Sequence, residues 1–413
     1  MLTRIGLLLF AILLASCGGK AEPATDAAEG AEKAPKKEVS PAQALIDGAE
    51  FTKEGLYKIF KDPKAISETE YEALLLGIDK CDVTEETHIL KEACPALVVL
   101  RKVHLIKEED FVLAQGVNRT AIGERLFPTA GGKLKSYLIM NRGSLFGQSA
   151  DSVKELLNIV KDDKDPVVIG ATIRLLSNEM KKPEAAGYIF GHAKHEDAIL
   201  RREAARAIGN SWSKGVEGAV EAIIELMKDA DQKVRGAACA GAGKLADDQV
   251  IETITAILDN PEEHKIHSNC VDGLEYMWFQ FPFHENLSEA AYNAQVAYFK
   301  KTPRSENIPA WNSVGGLRST SDRTIEAWKK NATYFKPAEY LAVMTEIALD
   351  NDANWLGRTS AVDVIAKWGT VKQLEALGKQ LDKMEGTHVK HVRDKVASKL
   401  KELAEAKAKA DAK

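Results

Sequence analysis

The sequence predicts an all-α fold: an α-solenoid of stacked antiparallel helix pairs, preceded by a signal peptide and a disordered linker. Three observations predict it. The composition suits helices, since 45% of the 413 residues are hydrophobic, 28% are charged and no long β-branched run occurs. A unit that opens on Asp recurs at a spacing of about 34 residues, the mark of a repeat array. Two copies of that unit close on glycine, where a left-handed residue can end a helix.

The chain starts MLTRIGLLLFAILLASCGGK, with one positive charge at Arg4 and an apolar run from Ile5 to Ala15. A bilayer-spanning helix needs about 20 apolar residues, so this shorter run reads as the core of a secretory signal peptide over residues 1–16. Leu14-Ala15-Ser16-Cys17 resembles the bacterial lipobox, which implies lipidation of Cys17 and its exposure as the mature N-terminus. Several acyl chains hold a protein on a membrane far longer than one chain can. In a diderm cell, Gly18 in place of an aspartate implies sorting to the outer membrane.

Residues 17–40 carry the lipidated cysteine and a tether with almost no large apolar side chain, which cannot fold alone. As a random coil it spans roughly 25 to 30 Å and lifts the folded part off the lipid. Residues 41–160 form an atypical helical region. Ser67-Glu-Thr-Glu70 is a capping box ahead of YEALLLGI, a degenerate repeat is expected over Glu86 to Leu97, and DSVKELLNIVKD from Asp151 reads as the second helix of a unit.

The regular copies occupy residues 161–275. Asp197, Leu200, Arg201, Ala204, Ala205, Ile208 and Gly209 align with Asp231, Val234, Arg235, Ala238, Cys239, Ala242 and Gly243. A looser copy starts at Asp165, with Val168, Thr172, Ile173 and Leu176, and another at Glu263, with Ile266, Cys270, Val271 and Leu274. Asp at the first position can cap the helix, and the apolar offsets share one face. Gly209 and Gly243 are expected to take the left-handed conformation that ends the helix. The run DQKVRGAACAGAGKLA is not a phosphate loop: Leu245 stands where a Ser or Thr hydroxyl is required, and no strand precedes it.

The pattern of Asp, apolar-Arg, Ala-Ala and apolar-Gly resembles HEAT-like repeats of the phycobilisome-lyase type. In that family the arginine of one repeat commonly reaches the aspartate of a neighbour. The resemblance therefore implies a ladder of Arg201 and Arg235 with Asp197 and Asp231. It implies architecture and no lyase activity, because a repeat module does not carry a chemistry with it.

Residues 276–345 break the period. Of the chain's 6 Trp, 9 Tyr and 12 Phe, nearly half lie between Tyr276 and Tyr340, beginning with YMWFQFPFH. Two readings stand: the rings build the core of irregular repeats, or some of them, with Trp278, Phe281 and Trp311 as candidates, line a recognition groove. Residues 346–413 return to the repeat at Asn354 and Val389, and KELAEAKAKADAK extends the last helix.

Cys239 and Cys270 fall at facing positions of consecutive repeats, and Cys81 and Cys94 lie 13 residues apart. Each pair reads either as a disulfide, which an oxidising compartment permits, or as buried free thiols. The pairs His192/His195, His264/His267 and His388/His391 read as surface histidines at turns, so no metal is expected. No C-x-x-C, G-x-S-x-G or H-E-x-x-H occurs, and no cofactor or catalytic residue is assigned.

A net charge of −5 argues against nucleic acid as the partner. The expected function is that of a membrane-anchored envelope lipoprotein: a non-enzymatic scaffold for a protein or peptide whose identity the sequence leaves open. The alternative is an extracytoplasmic enzyme or ligand-binding protein with its site in 276–340.

Overall fold

Helix starts are set locally. The computed structural model describes residues 39–48, 50–60, 64–104, 111–141, 152–279, 287–301, 328 and 330–411. In it Ser40, Thr52, Ser67, Asn118, Asp165, Asp197, Asp231, Asn354 and Thr370 each cap a helix by accepting a backbone N–H two or three residues on. Ser67 and Glu70 form the expected capping box. Each such cap contributes about 1 kcal/mol.

The N-terminal region holds α1 (Pro41–Asp47), α2 (Lys53–Ile59), α3 (Glu68–Gly77), α4 (Pro95–His104), α5 (Arg119–Leu126) and α6 (Gly132–Met140). It also holds one short ribbon that the helical reading did not foresee. β1 (Lys64–Ile66) pairs in parallel with β2 (Phe111–Leu113), with Ala65 opposite Val112. The degenerate repeat expected over Glu86 to Leu97 is not a repeat. Residues 82–94 form no helix; they turn through a left-handed His88 at φ 52° and a bridge of Val83 to Leu90.

The regular stack follows as α7 (Ser152–Val160), α8 (Pro166–Leu176), α9 (Pro183–His192), α10 (Ala198–Ile208), α11 (Ala219–Leu226), α12 (Gln232–Leu245), α13 (Gln249–Leu258), α14 (His267–Trp278) and α15 (Glu289–Lys301). One layer is the series α6, α8, α10, α12 and α14, each packed on the next; in the other, α7 meets α9 and α13 meets both α11 and α15. The repeat's apolar offsets make the seam. Leu200, Ala204, Ala205 and Ile208, and likewise Val234, Ala238, Cys239 and Ala242, are wholly buried. Burying one such Leu or Ile contributes roughly 1.5–3 kcal/mol.

The glycines have a different task from the one expected. Gly209 caps α10 at φ −77°, and Gly243 lies inside α12, which ends at a left-handed Ala246 with φ 55°. What these positions need is the absence of a side chain. A Cβ on Gly209 would stand 2.4 Å from the Cα of Gly241, and one on Gly243 would stand 1.9 Å from the carbonyl oxygen of Gly273.

The C-terminal part comprises α16 (Pro337–Leu349), α17 (Trp355–Trp368), α18 (Val371–Leu381) and α19 (Val389–Asp411), with α17 packed on both α16 and α19. Ser40–Lys413 forms one unit. The molecule is thus an all-α solenoid, with nineteen α-helices among the described residues.

Candidate functional site

The repeat arginines form a ladder, but not onto the capping aspartates. Arg201 Nε and Nη2 donate to Asp229 at 2.7 and 2.9 Å, and Arg235 donates to Glu263 at 2.5 and 3.3 Å. The third donor closes the preceding turn: Arg201 Nη1 reaches the carbonyls of His195 and Glu196, and Arg235 Nη1 those of Asp229 and Ala230. Asp197 and Asp231 are already engaged with the N–H groups of their own helices. The guanidinium goes instead to Asp229, in the turn before α12, and to Glu263, in the short 3-10 helix Pro261–Ile266 before α14.

The same arginine position recurs. Buried Arg358 donates to the Ala348 carbonyl, and Arg393 to those of Leu381 and Met384. These four arginines are structural ties between turns.

Cys81 and Cys94 are joined by a disulfide with Cα atoms 5.2 Å apart, and Cys239 and Cys270 by another at 4.7 Å. The second links α12 to α14; the first closes the irregular loop 82–94. That loop rests on the stack. His88 Nε2 meets Asp197 at 3.0 Å, Arg174 donates to the Thr87 carbonyl and Arg202 to the Glu86 carbonyl. Burial works against the Asp197 carboxylate, yet the bonds from His88 and from the Ile199 N–H hold it below its usual range.

Two of the histidine pairs stack at turns, with ring centroids 5.7 Å apart for His192 and His195 and 5.5 Å for His388 and His391. His267 is the exception to the surface reading. It is buried, facing the Tyr298 hydroxyl at 2.9 Å on one side and backbone carbonyls on the other, and burial pulls its pKa down. Among the described residues no group of three His, Cys, Asp or Glu side chains could hold a metal.

Trp278 is core, which corrects its assignment to a recognition groove. It is 0% exposed, is stacked on Phe335 at 6.0 Å, and is flanked by Tyr292 and Tyr340 at 5.3 and 5.7 Å. Its indole N–H donates to Gln295, and its carbonyl accepts from Trp328 and Tyr334. The irregular segment uses these rings to fill the space between α14, α15 and α16. Phe281, Trp311 and the lipobox Cys17 lie outside the described residues. Exposed tryptophans occur away from this segment, at Trp212 and Trp355.

One groove lies on a surface that the sequence reading passed over. Along α12, Lys233, Ala237, Ala240 and Lys244 follow at spacings of four, three and four, so they share one face. That face is the floor of a cavity of about 480 Å³. Gly236, Ala237, Ala240 and Gly241 line the bottom, Arg202 and Arg206 come from α10, and Lys265 and Asn269 from the α14 side. Five cations and no carboxylate line it. Arg206 is paired with buried Glu203 at 2.6 Å and Lys233 with Glu86 at 3.2 Å. Arg202, only 7% exposed, has no hydrogen-bond partner at Nε.

A second cavity, of about 530 Å³, lies where the disulfide loop meets α4, α6 and α8. Ile89, Leu90, Leu97, Tyr137 and Met140 give it an apolar lining beside Arg101 and Arg174.

Fold and groove together define a repeat protein that offers a surface along its stacked helices. Comparison with known proteins agrees over the regular part: residues 192–275 match the family model for HEAT repeats. HEAT-like repeats suggest a protein-interaction scaffold, a fold that is typically non-enzymatic. No curated protein matches the chain. Among solved structures, the crystal structure of an engineered protein from the Northeast Structural Genomics Consortium is similar at 15% identity, with 88% of each chain covered and a TM-score of 0.38.

Proposed function

We propose that this protein is a lipid-anchored envelope lipoprotein that acts as a non-enzymatic scaffold, holding a protein partner in the groove across α10, α12 and α14. The observation that carries this reading is the groove itself. Around the half-buried Ala237 and Ala240 it presents Arg202, Lys244 and Lys265, cations that make no ion pair among the described residues. Anchoring is supported by the apolar run from Ile5 to Ala15 and by the resemblance of Leu14-Ala15-Ser16-Cys17 to a lipobox ahead of a tether-like stretch.

A photo-reactive residue at Ala237 in the full-length protein tests the scaffold. A discrete cross-linked adduct from Ala237, absent from the outer-layer position Glu221, is expected; equal labelling from both positions, or none from Ala237, would refute it. For the anchor, Cys17→Ala is expected to leave the membrane fraction and to take up no labelled palmitate, and membrane retention equal to the parent's would count against it.

A further inference from the structure

We infer that the segment received by this groove is an acidic stretch of peptide, with at least two carboxylates, one of which pairs with the buried guanidinium of Arg202. This rests on the scaffold reading and names the chemistry of its partner. Three cations in the groove have no carboxylate: Arg202, Lys244 and Lys265 make no ion pair among the described residues, although Lys244 lies 5.9 Å over the Tyr276 ring. The acids nearby are committed elsewhere. Glu203 serves Arg206 and Arg174, and Glu86 serves Lys233.

Arg202 makes the site specific. Its Nη2 is held by the Glu86 carbonyl, while Nε, in a side chain more than nine-tenths buried, has no acceptor. A guanidinium has fixed donor geometry and cannot be neutralised by losing its proton, so a carboxylate is its natural complement. Half-buried Ala237 and Ala240 add a second condition: their short side chains let a peptide backbone approach α12, which bulky ones would prevent. The cavity, at about 480 Å³, accommodates a few residues and not a folded domain. A polynucleotide also carries negative charge, but the net charge of −5 repels a long polyanion and the groove is local.

The test uses the full-length protein in detergent and a fluorescein-labelled decapeptide of alternating Glu and Ala, with the Gln and Ala version as its neutral counterpart. The acidic peptide is expected to bind about tenfold or more tightly than the neutral one, with an affinity that falls as salt rises. Arg202→Gln should remove about tenfold of that affinity, and Lys244→Gln with Lys265→Gln should weaken binding and flatten its salt dependence. The paired lysine variant keeps the question open to test if Arg202→Gln fails to fold. Equal binding of the two peptides, or unchanged affinity in folded variants, would overturn the inference. So would stronger competition from anionic lipid vesicles or a DNA duplex than from the unlabelled acidic peptide. If the peptide fails while Ala237 still cross-links a protein, only the acidic specificity falls; if both fail, the scaffold falls with it.

Discussion

Gly273 of α14 lies against the carbonyl oxygen of Cys239 in α12, so closely that a Cβ on Gly273 would stand 2.3 Å from that oxygen. The neighbour is backbone, tied to the same crossing by the Cys239–Cys270 disulfide, and cannot swing aside. Gly273→Ala is therefore expected to force the helices apart and to destabilise the protein by about 1–3 kcal/mol or more. Gly187, within α9 and with nothing within 4 Å of its Cβ position, is the control. Gly187→Ala should be neutral or stabilising by up to about 1 kcal/mol. Denaturant melts of both variants check this, and equal effects would mean the crossing is looser than described.

The ladder predicts an acid limb. The Arg201 hydrogen bonds are the main reason the Asp229 carboxylate lies below its usual pKa, with burial opposing them. A depressed folded-state pKa means that the stabilisation is present above the unfolded-state value near 4 and is lost as pH falls through the folded-state value. Arg201→Met should cost about 1.5–3 kcal/mol at pH 7 and markedly less near pH 3. Urea midpoints measured at the two pH values, with Asp229→Asn completing a double-mutant cycle, check this; a pH-independent cost would remove the ion pair from the account.

Glu275 predicts the opposite limb. It is buried in α14, and burial, with Asp272 adding repulsion, pushes its pKa well up; Asp272, half-buried, is pushed up to about 6 by burial. For an acid raised on folding, the native state holds the proton longer than the unfolded chain does. Stability is then fully present below the unfolded-state pKa of about 4 and declines as pH rises toward the folded-state value. Glu275→Gln retains a neutral group of the same shape. Its advantage over the parent should grow with pH from 4 upward, as read from thermal midpoints, and a variant less stable than the parent at every pH would contradict the burial argument.

How much of this was legible depends on how local each signal is. The capping aspartates at 165, 197 and 231 and the buried offsets were legible because a cap and a helical face are fixed within one turn. The arginine positions were legible, but their partners were not. Glu263 opens a copy as Asp231 does, but Asp229 stands two residues before its copy's first position, and the path of the turn that brings it to Arg201 is not written in the spacing. Gly209 and Gly243 were visible as special positions, while their cause was hidden: chain reversal and close helix contact both select glycine. Trp278 shows the same limit, since ring density signals buried area but not which side of a helix faces solvent. The groove was half legible. Lys233, Ala237, Ala240 and Lys244 declare a face of α12, but only the flanking α10 and α14 turn that face into a channel.

The disulfide loop carries the last prediction, because it links the irregular N-terminal region to the groove. Cys81 and Cys94 close a loop whose three consecutive residues, Glu86, Thr87 and His88, hold Arg202, Arg174 and Asp197 respectively. Crosslinking a loop of this length stabilises by about 3 kcal/mol in the chain-entropy account. Replacing both cysteines by serine should lower the melting temperature by several degrees, yet the total drop would not show where the structure yields. Hydrogen exchange does. Within the loop the Thr84 N–H is bonded to Ile89 and the His88 N–H to Thr84, and both amides should lose protection first. The Ile199 N–H, capped by Asp197, should follow as its carboxylate loses His88. Freed from the Glu86 carbonyl, Arg202 is less well oriented, so acidic-peptide binding should weaken several-fold in the same variant. The α12–α14 amides, tied by Cys239 and Cys270, should keep their protection and serve as the internal reference. Protection at Thr84 and His88 unchanged from the parent would show that the loop is held by its contacts with the stack and not by the disulfide.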